Sequence, residues 1–244
     1  MERAGREWTA LTWNLQGTKR TDLDRVAAVI AAEQPDVVAL QEVRKPQAAA
    51  LATRLDMTSV WDVKHNPWRP FFPRRAEGAA LLTPHSLRNA DHRHISDARS
   101  KRNYRRRIVQ WAVIERADDL AYTVFNIHLS PHDMREERRA ETERITGLAR
   151  SFGATAPLLM VGDLNDTGSP EIIAMLPGIE MLAPPPTNPS EHPTVSIDHV
   201  LVPPEATGVS VSAPAGGPAW AELSDHLPLT VRFTLDWVEG RVGS

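Results

Sequence analysis

Residues 157–166, PLLMVGDLND, are the stretch around which the rest of the chain reads. Leu158, Leu159, Met160 and Val161 run without alternation, as in a strand buried on both faces, although a fragment of buried helix reads the same way. Pro157 in front and Gly162 behind favour the strand. Polarity then arrives all at once as Asp163, Asn165 and Asp166. On a strand period Asp163 and Asn165 point to one face, so a core strand would hold a carboxylate and a carboxamide rigidly side by side. A strand running into an Asp/Asn turn gives the same letters, and the other stretches of the chain decide between the two.

The bulk properties narrow the classes. The chain has 244 residues, 41% of them hydrophobic, enough for a sizeable core. Its opening, MERAGREW, is charged and lacks the apolar region of an export signal. No apolar run nears the roughly 20 residues of a membrane helix. With zero cysteines, disulfides, thiolate metal sites and a cysteine nucleophile are excluded. A cytoplasmic setting is the simplest expectation. The net charge of -3 gives no global pull toward nucleic acid. Charge is uneven, however: residues 99–107, RSKRNYRRR, carry six cations in nine positions around Tyr104. Such a run is either a solvated loop or a phosphate-contacting patch.

Taken in order, residues 8–15 read as a strand ending at Asn14. Thr21 or Asp22 can cap a helix whose apolar positions include Leu23, Val26, Ala27 and Ile30, with Pro35 as its stop. Residues 36–40 are a second buried strand that runs into Gln41 and Glu42, and a shorter helix spans 47–54. Strands are expected at 58–63 and 78–82, with an irregular aromatic stretch at 65–75 between them and a long polar loop over 86–107 that carries only a weak strand pattern. Residues 108–114 and 122–128 form a hairpin through Asp118 and Asp119. The helix expected over 135–152 has Ile145, Leu148, Ala149 and Phe152 on its apolar stripe, which continues backward as Arg138 and Glu141. These two either pair with each other at i,i+3 or border a polar site. A short helix at 170–176 and strands at 195–202 and 229–235 complete the reading. No repeat or linker divides the chain, which argues for one domain over 1–244. Two sheets packed face to face with helices outside would absorb this many strands.

Polar residues recur where these strands end. Asn14, Glu42, His128 and the pair Asp163/Asn165 close four of them, Asp198 lies in VSIDHVLV, and Asp225 with His226 precedes the last. Each alone has a bland explanation, as a strand cap or a satisfied core histidine. Together, connections at one edge of a layered fold would gather them into one cleft. Carboxylates with a carboxamide and no cysteine suit a hard divalent cation such as Mg²⁺ or Mn²⁺, and a His–Asp couple supplies an oriented general base.

In this order the stretches TWNLQG, VVALQEV, EGAALLTPHSL, FNIHLSPH, GDLND, SIDHVLV and SDHLPL resemble the endonuclease/exonuclease/phosphatase superfamily, whose members look like DNase I. They span residues 12–229, and they are specific jointly rather than singly. The resemblance implies an α+β fold: a four-layer α/β/β/α sandwich of two mixed, mainly antiparallel sheets with outer helices. It implies a metal site at Glu42, with Asn14 and Asp225 as ligands or joined to the cation through water. His226 would be the general base or a transition-state donor, oriented by Asp198. Asp163 would position or activate the water, and which of Asp163 and His226 takes the proton stays open. Asn165 would hold a phosphate oxygen, and His128 would bind the scissile phosphate and serve as a possible general acid.

Within the basic stretch, Arg107 is the first candidate for a phosphate contact, followed by Arg105 and Arg106, although the region matches no branch of the superfamily closely. The expectation is therefore a monomeric Mg²⁺-dependent (or Mn²⁺-dependent) hydrolase acting on a phosphodiester by in-line attack of water. DNA or RNA is the leading substrate, with Trp68, Phe71 and Phe72 available to stack on bases. A lipid headgroup or small phosphate ester is the alternative. A non-catalytic anion-binding module on the same fold is the alternative of another class, and the complete set of polar strand ends speaks against it.

Overall fold

Among the described residues eleven strands divide between two sheets, and the apolar pattern of each strand dictates which side it covers. A computed structural model describes residues 6–17, 19, 21–66, 75–100, 102–117, 120–152, 157–167, 172, 175 and 183–235. The first sheet has the order β10-β11-β1-β2-β4-β3. It comprises β1 (Arg6–Asn14), β2 (Val37–Arg44), β3 (Thr58–His65), β4 (Glu77–Thr83), β10 (Ala206–Ser212) and β11 (Leu229–Leu235). The second sheet has the order β5-β6-β7-β8-β9. Its strands are β5 (Ser86–His94), β6 (Ile108–Glu115), β7 (Ala121–His128), β8 (Leu158–Asp163) and β9 (Asp198–Leu201). Parallel pairing joins β1 to β2 and β7 to β8, and the other neighbours are antiparallel.

Alternation along the strands produces three apolar layers. Trp8, Ala10, Val37, Ala39, Val124, Leu159, Val161 and Phe233 fill the gap between the sheets. Leu11, Trp13, Val38 and Leu40 point outward under helices α1 (Leu23–Glu33) and α2 (Lys45–Leu55). Val109, Phe125, Ile127 and Met160 point the other way, under α3 (Arg135–Ser151) with Ile145 and Leu148. Every central strand is thus covered on both faces, which is why the run 158–161 shows no alternation. Burying each of the Val, Leu, Ile, Phe and Met side chains among them stabilises the fold by roughly 1.5–3 kcal/mol. The result is the expected α/β/β/α sandwich.

Helix α1 begins and ends where the sequence indicated, while α2 starts two residues before the expected 47. Asp22 caps α1 through Oδ1 to the amides of Asp24 and Arg25 at 3.0 and 3.2 Å. Gln34 closes that helix in the left-handed region at φ 48°, just before Pro35. The stretch 86–107 corrects the expected loop, because Ser86–His94 is an edge strand, β5, paired antiparallel with β6. Its residues read as loop because most of them are exposed, as befits an edge. The strand β10 went unread for the same reason: its pattern is mostly exposed and polar, and it is the opposite edge of the other sheet. A four-residue helix, α4 (Pro218–Ala221), was also missed. Trp68, Phe71, Phe72, the Asp118/Asp119 turn and most of the helix expected at 170–176 lie outside the described residues. No helix among the described residues is long and apolar enough to cross a membrane.

Candidate active site

Strand direction gathers the polar residues. The parallel strands β1 and β2 finish together, with Asn14 opposite Gln41, and β7 and β8 finish together, with His128 opposite Asp163. Antiparallel neighbours begin where these end: β9 starts at Asp198 opposite Asp163, and β11 starts just after His226. By the same rule β6 begins after Arg107, while β3 closes on Lys64 and His65 opposite Glu77. One end of the sandwich therefore receives side chains from most of the strands.

Two backbone features aim them. Pairing of β2 with β4 slips by one residue between Leu40 and Val43, and Glu42 sits in that bulge at φ 51°. Strict alternation would turn Gln41 and Glu42 to opposite faces; the bulge brings both into the polar end. Gly17 lies against this bulge so closely that a Cβ would stand 2.0 Å from the Glu42 carbonyl oxygen. Gly162, at φ 142°, approaches β7 in the same way, with a Cβ position 1.9 Å from the Ile127 carbonyl oxygen. The motif glycines of TWNLQG and GDLND thus have a steric reason.

Asp163 is the centre. Its Oδ2 accepts from Asn14 Nδ2 at 3.0 Å, a bond that ties one sheet to the other. His128 Nε2 stands 3.6 Å and His226 Nε2 3.9 Å from the same oxygen. Oδ1 accepts from the backbone N–H of Asn165 at 2.8 Å. That bond revises the idea of a strand-paired carboxylate and carboxamide. The strand ends at Asp163, Asn165 lies beyond it at φ 49°, and the two are linked through an Asx-type turn. Asn165 Nδ2 donates to Leu129 O at 3.0 Å. Burial raises the Asp163 carboxyl to about 6, with the Asp198 charge adding to the rise while His226 opposes it.

Behind His226, Nδ1 engages Asp198 Oδ2 at 2.8 Å, and Thr187 Oγ1 donates to that oxygen at 2.5 Å. Burial alone would lower the imidazole. The Asp198 charge and hydrogen bond outweigh it, with help from Asp163 and Asp225, and raise it to about 10. His226 is accordingly an imidazolium at neutral pH. His128 is shifted the other way, well below its ordinary value, first by burial and then by the positive neighbours Lys64 and Arg107. It is neutral, and its Nδ1 has no partner among the described residues.

Lys64, unmarked in the sequence, is the main addition. It is buried, and its Nζ lies 3.2 Å from Glu42 Oε1 and 3.9 Å from Glu77 Oε2. Burial pushes the Glu42 carboxyl up, but the Lys64 ammonium, with Arg107 and His226, brings it below its ordinary value. The signal was available: WDVKH carries a lysine where a half-buried strand enters the polar end. Below the site, Gln41 Nε2 bonds Thr12 Oγ1 at 2.9 Å and Asn126 Oδ1 at 2.8 Å, a buried polar floor between the sheets.

The remaining expected residues are divided. Arg107 is buried and holds Leu129 O through Nε at 3.0 Å and Tyr104 O through Nη1 at 2.8 Å. Arg105 is exposed and rests on Tyr104, its Nε 3.2 Å from the phenol oxygen. Asp225 is half-buried beside His226, with Ser224 Oγ 3.3 Å from its Oδ1. Arg138 and Glu141 do not pair with each other. Glu141 accepts from Ser130 N and Oγ, each at 2.8 Å, while Arg138 reaches Pro131 O and Asp166 Oδ2 at 2.6 and 3.2 Å. Both brace the loops after β7 and β8, so the polar first turns of α3 border the site.

Among the described residues one carboxylate–histidine group, Asp163, Asp198 and His226, brings its ligand atoms close enough to hold an ion. Within that group His226 Nδ1 and Asp198 Oδ2 are already bonded to each other. Glu42 offers a different, all-oxygen setting. Lys64 meets Oε1, Oε2 takes no bond from a described residue, and Asn14 Oδ1 accepts only the Gln16 amide at 3.1 Å. That donor set fits a hard divalent cation.

A two-sheet sandwich with this cluster at the open end of its strands is the architecture of DNase I-like phosphoesterases. The sequence profile of the Endonuclease/Exonuclease/phosphatase family matches residues 11–226, and the chain belongs to that family, whose members hydrolyse phosphoester bonds. Comparison with curated proteins finds no match. Among solved structures, an endonuclease/exonuclease/phosphatase from Bacteroides vulgatus is similar at 21% identity and TM-score 0.77, covering 94% of this chain and 99% of that one. The human Nocturnin catalytic domain with bound sulfate is similar at 21% identity and TM-score 0.72, covering 93% and 94%. A mannosyl-6-phosphatase from Bacteroides thetaiotaomicron is similar at 15% identity and TM-score 0.70, covering 93% and 99%.

Proposed function

We propose that this chain is a divalent-metal-dependent phosphodiesterase, most naturally a nuclease, that directs water in line onto phosphorus. The observation that carries the reading is the convergence of Asn14, His128 and His226 on Asp163 Oδ2, with Asp198 behind His226. Glu42, Asn14 and Asp225 would hold the Mg²⁺ or Mn²⁺ ion, which when bound polarises a phosphoryl oxygen and steadies the leaving oxyanion.

Asp163 Oδ2 takes the proton of the attacking water. His226 is less suited to that step, since Asp198 holds its Nδ1 and keeps the ring protonated. Its Nε2–H and the N–H of neutral His128 instead donate to the non-bridging oxygens as charge builds on them. The water oxygen forms its bond to phosphorus as the bond to the leaving oxygen breaks on the far side, away from Asp163. Asn165 and Arg107 act on the His128 loop, since both donate to Leu129 O. Arg107 adds positive charge toward Glu42 and Asp163.

The test is hydrolysis of bis(p-nitrophenyl) phosphate, plasmid DNA, RNA, a sphingomyelin analogue and a sugar phosphate, with Mg²⁺ and with EDTA. Turnover of diesters that EDTA stops and His226→Ala reduces by 10²-fold or more is expected. No turnover of any substrate, with His226→Ala identical to the wild type, overturns the enzyme reading. Cleavage that survives EDTA overturns the metal assignment alone.

A further inference from the structure

The basic arm between β5 and β6 holds two residues that the site does not use. Arg106 is only 7% exposed, yet its Nε and Nη1 have no hydrogen-bond partner among the described residues. Among the described residues no carboxylate pairs with it, and burial lowers its guanidinium. Its charge bears instead on two imidazoles of β5, His92 and His94. A cation placed this way is set for an anion that arrives with a ligand. Tyr104 presents the opposite anomaly. It is 58% exposed, and the only other exposed large hydrophobic among the described residues is Val195. The Arg105 guanidinium lies 5.7 Å from its ring centroid, and Arg99 and Arg102 are exposed along the same arm.

The arm is not a loose tether. Asn103 N donates to Ser100 O at 2.9 Å and Arg106 N to Asn103 O at 3.0 Å, making two successive turns. Asn103 Oδ1 also accepts from Arg105 N at 3.0 Å. Arg107 then fixes the arm to the catalytic loop, since one guanidinium holds both Tyr104 O and Leu129 O, the residue after His128. An exposed aromatic, an unpaired buried cation and the proposed scissile-phosphate site thus stand in fixed relation. Exposed cations continue the line outward.

We infer that Arg99 and residues 102–107 form a track for an unpaired polynucleotide strand leading from the catalytic centre, with Arg106 taking a phosphate next to the scissile one and Tyr104 stacking on a base. An unpaired strand is favoured over a duplex because Tyr104 needs an open base face, which a stacked duplex does not offer. The basic line follows a phosphate backbone by charge alone. This rests on the proposed phosphodiesterase activity and extends it to a substrate class.

The experiment uses the full chain and three probes: fluorescein-labelled dT12, the same strand annealed to dA12, and bis(p-nitrophenyl) phosphate. Binding is read by anisotropy in the Asp163→Asn background, which separates it from turnover. Arg106→Met and Tyr104→Ala should each weaken dT12 binding by about 5- to 100-fold, and Tyr104→Phe should restore most of the Tyr104 loss. Arg106→Met should also lower the slope of log affinity against log salt by about one. In the active enzyme, the loss of kcat/KM on dT12 should exceed that on the small diester by about 10-fold. Binding to dT12 that neither variant changes, a preference for the duplex, or equal losses on dT12 and the small diester would each overturn the track. Absence of small-diester turnover overturns the activity reading instead, and the anisotropy arm still decides whether the strand binds.

Discussion

Replacing Asp198 by Asn removes the charge that holds His226 protonated, and the size of the effect depends on pH in a defined way. His226 rises from 6.5 to about 10 on folding, and Asp198 is first among the causes that raise it. A raised imidazole contributes stability that is complete below the unfolded value and is lost as pH climbs through the folded one. At about 1.36 kcal/mol per unit the full contribution is ~5 kcal/mol; about 4 remains at pH 7 and under 1 at pH 9.5. His226 is 6% exposed, so solvent screening does not erase this figure. Both pH values lie above the Asp163 value of about 6, so that carboxyl stays ionised across the comparison. The Thr187 hydrogen bond to Asp198 is pH-independent and drops out of the difference. Urea unfolding followed by circular dichroism in EDTA, at pH 7 and 9.5, is the assay. Asp198→Asn should lose several kcal/mol at pH 7 and far less at pH 9.5. An equal loss at both, or a larger one at pH 9.5, refutes the imidazolium–carboxylate reading.

Three further outcomes are expected. Asp163→Asn should lower turnover by 10³-fold or more while changing Mg²⁺ affinity only modestly by calorimetry; a large loss of affinity would make Asp163 a metal ligand. In the wild type, kcat/KM should climb between pH 5 and 7 as the Asp163 carboxyl, raised to about 6, ionises, and a profile flat across that range removes Asp163 as proton acceptor. Lys64→Met leaves Glu42 and Glu77 without their shared ammonium. It should destabilise the protein by about 3 kcal/mol, with Mg²⁺ restoring part of the melting temperature; an unchanged Tm would show that Lys64 carries no such pairing.

The sequence determined much of the sandwich because its central strands are covered on both faces. Continuous apolar runs such as 158–161 and 37–40 follow directly from burial between a sheet and a helix layer. The edges β5 and β10 escaped because exposure on an edge strand leaves no pattern to read. The residues at the strand ends were legible as types, and the family's motifs ordered them.

Only the tertiary structure decided their relations. Asn14 and Asp163 are 149 positions apart and meet because parallel strands in two sheets finish at the same end. Glu42 faces the site through a bulge, not through alternation. Asn165 lies past the strand end at φ 49°, with its Nδ2 donating to Leu129 O, instead of sharing a strand face with Asp163. Lys64 and Thr187 carry no motif, and their significance comes from burial and from the charges beside them. Local letters fix which faces are apolar; the protonation of His226, the neutrality of His128 and the centrality of Asp163 arise from charges that only folding brings together.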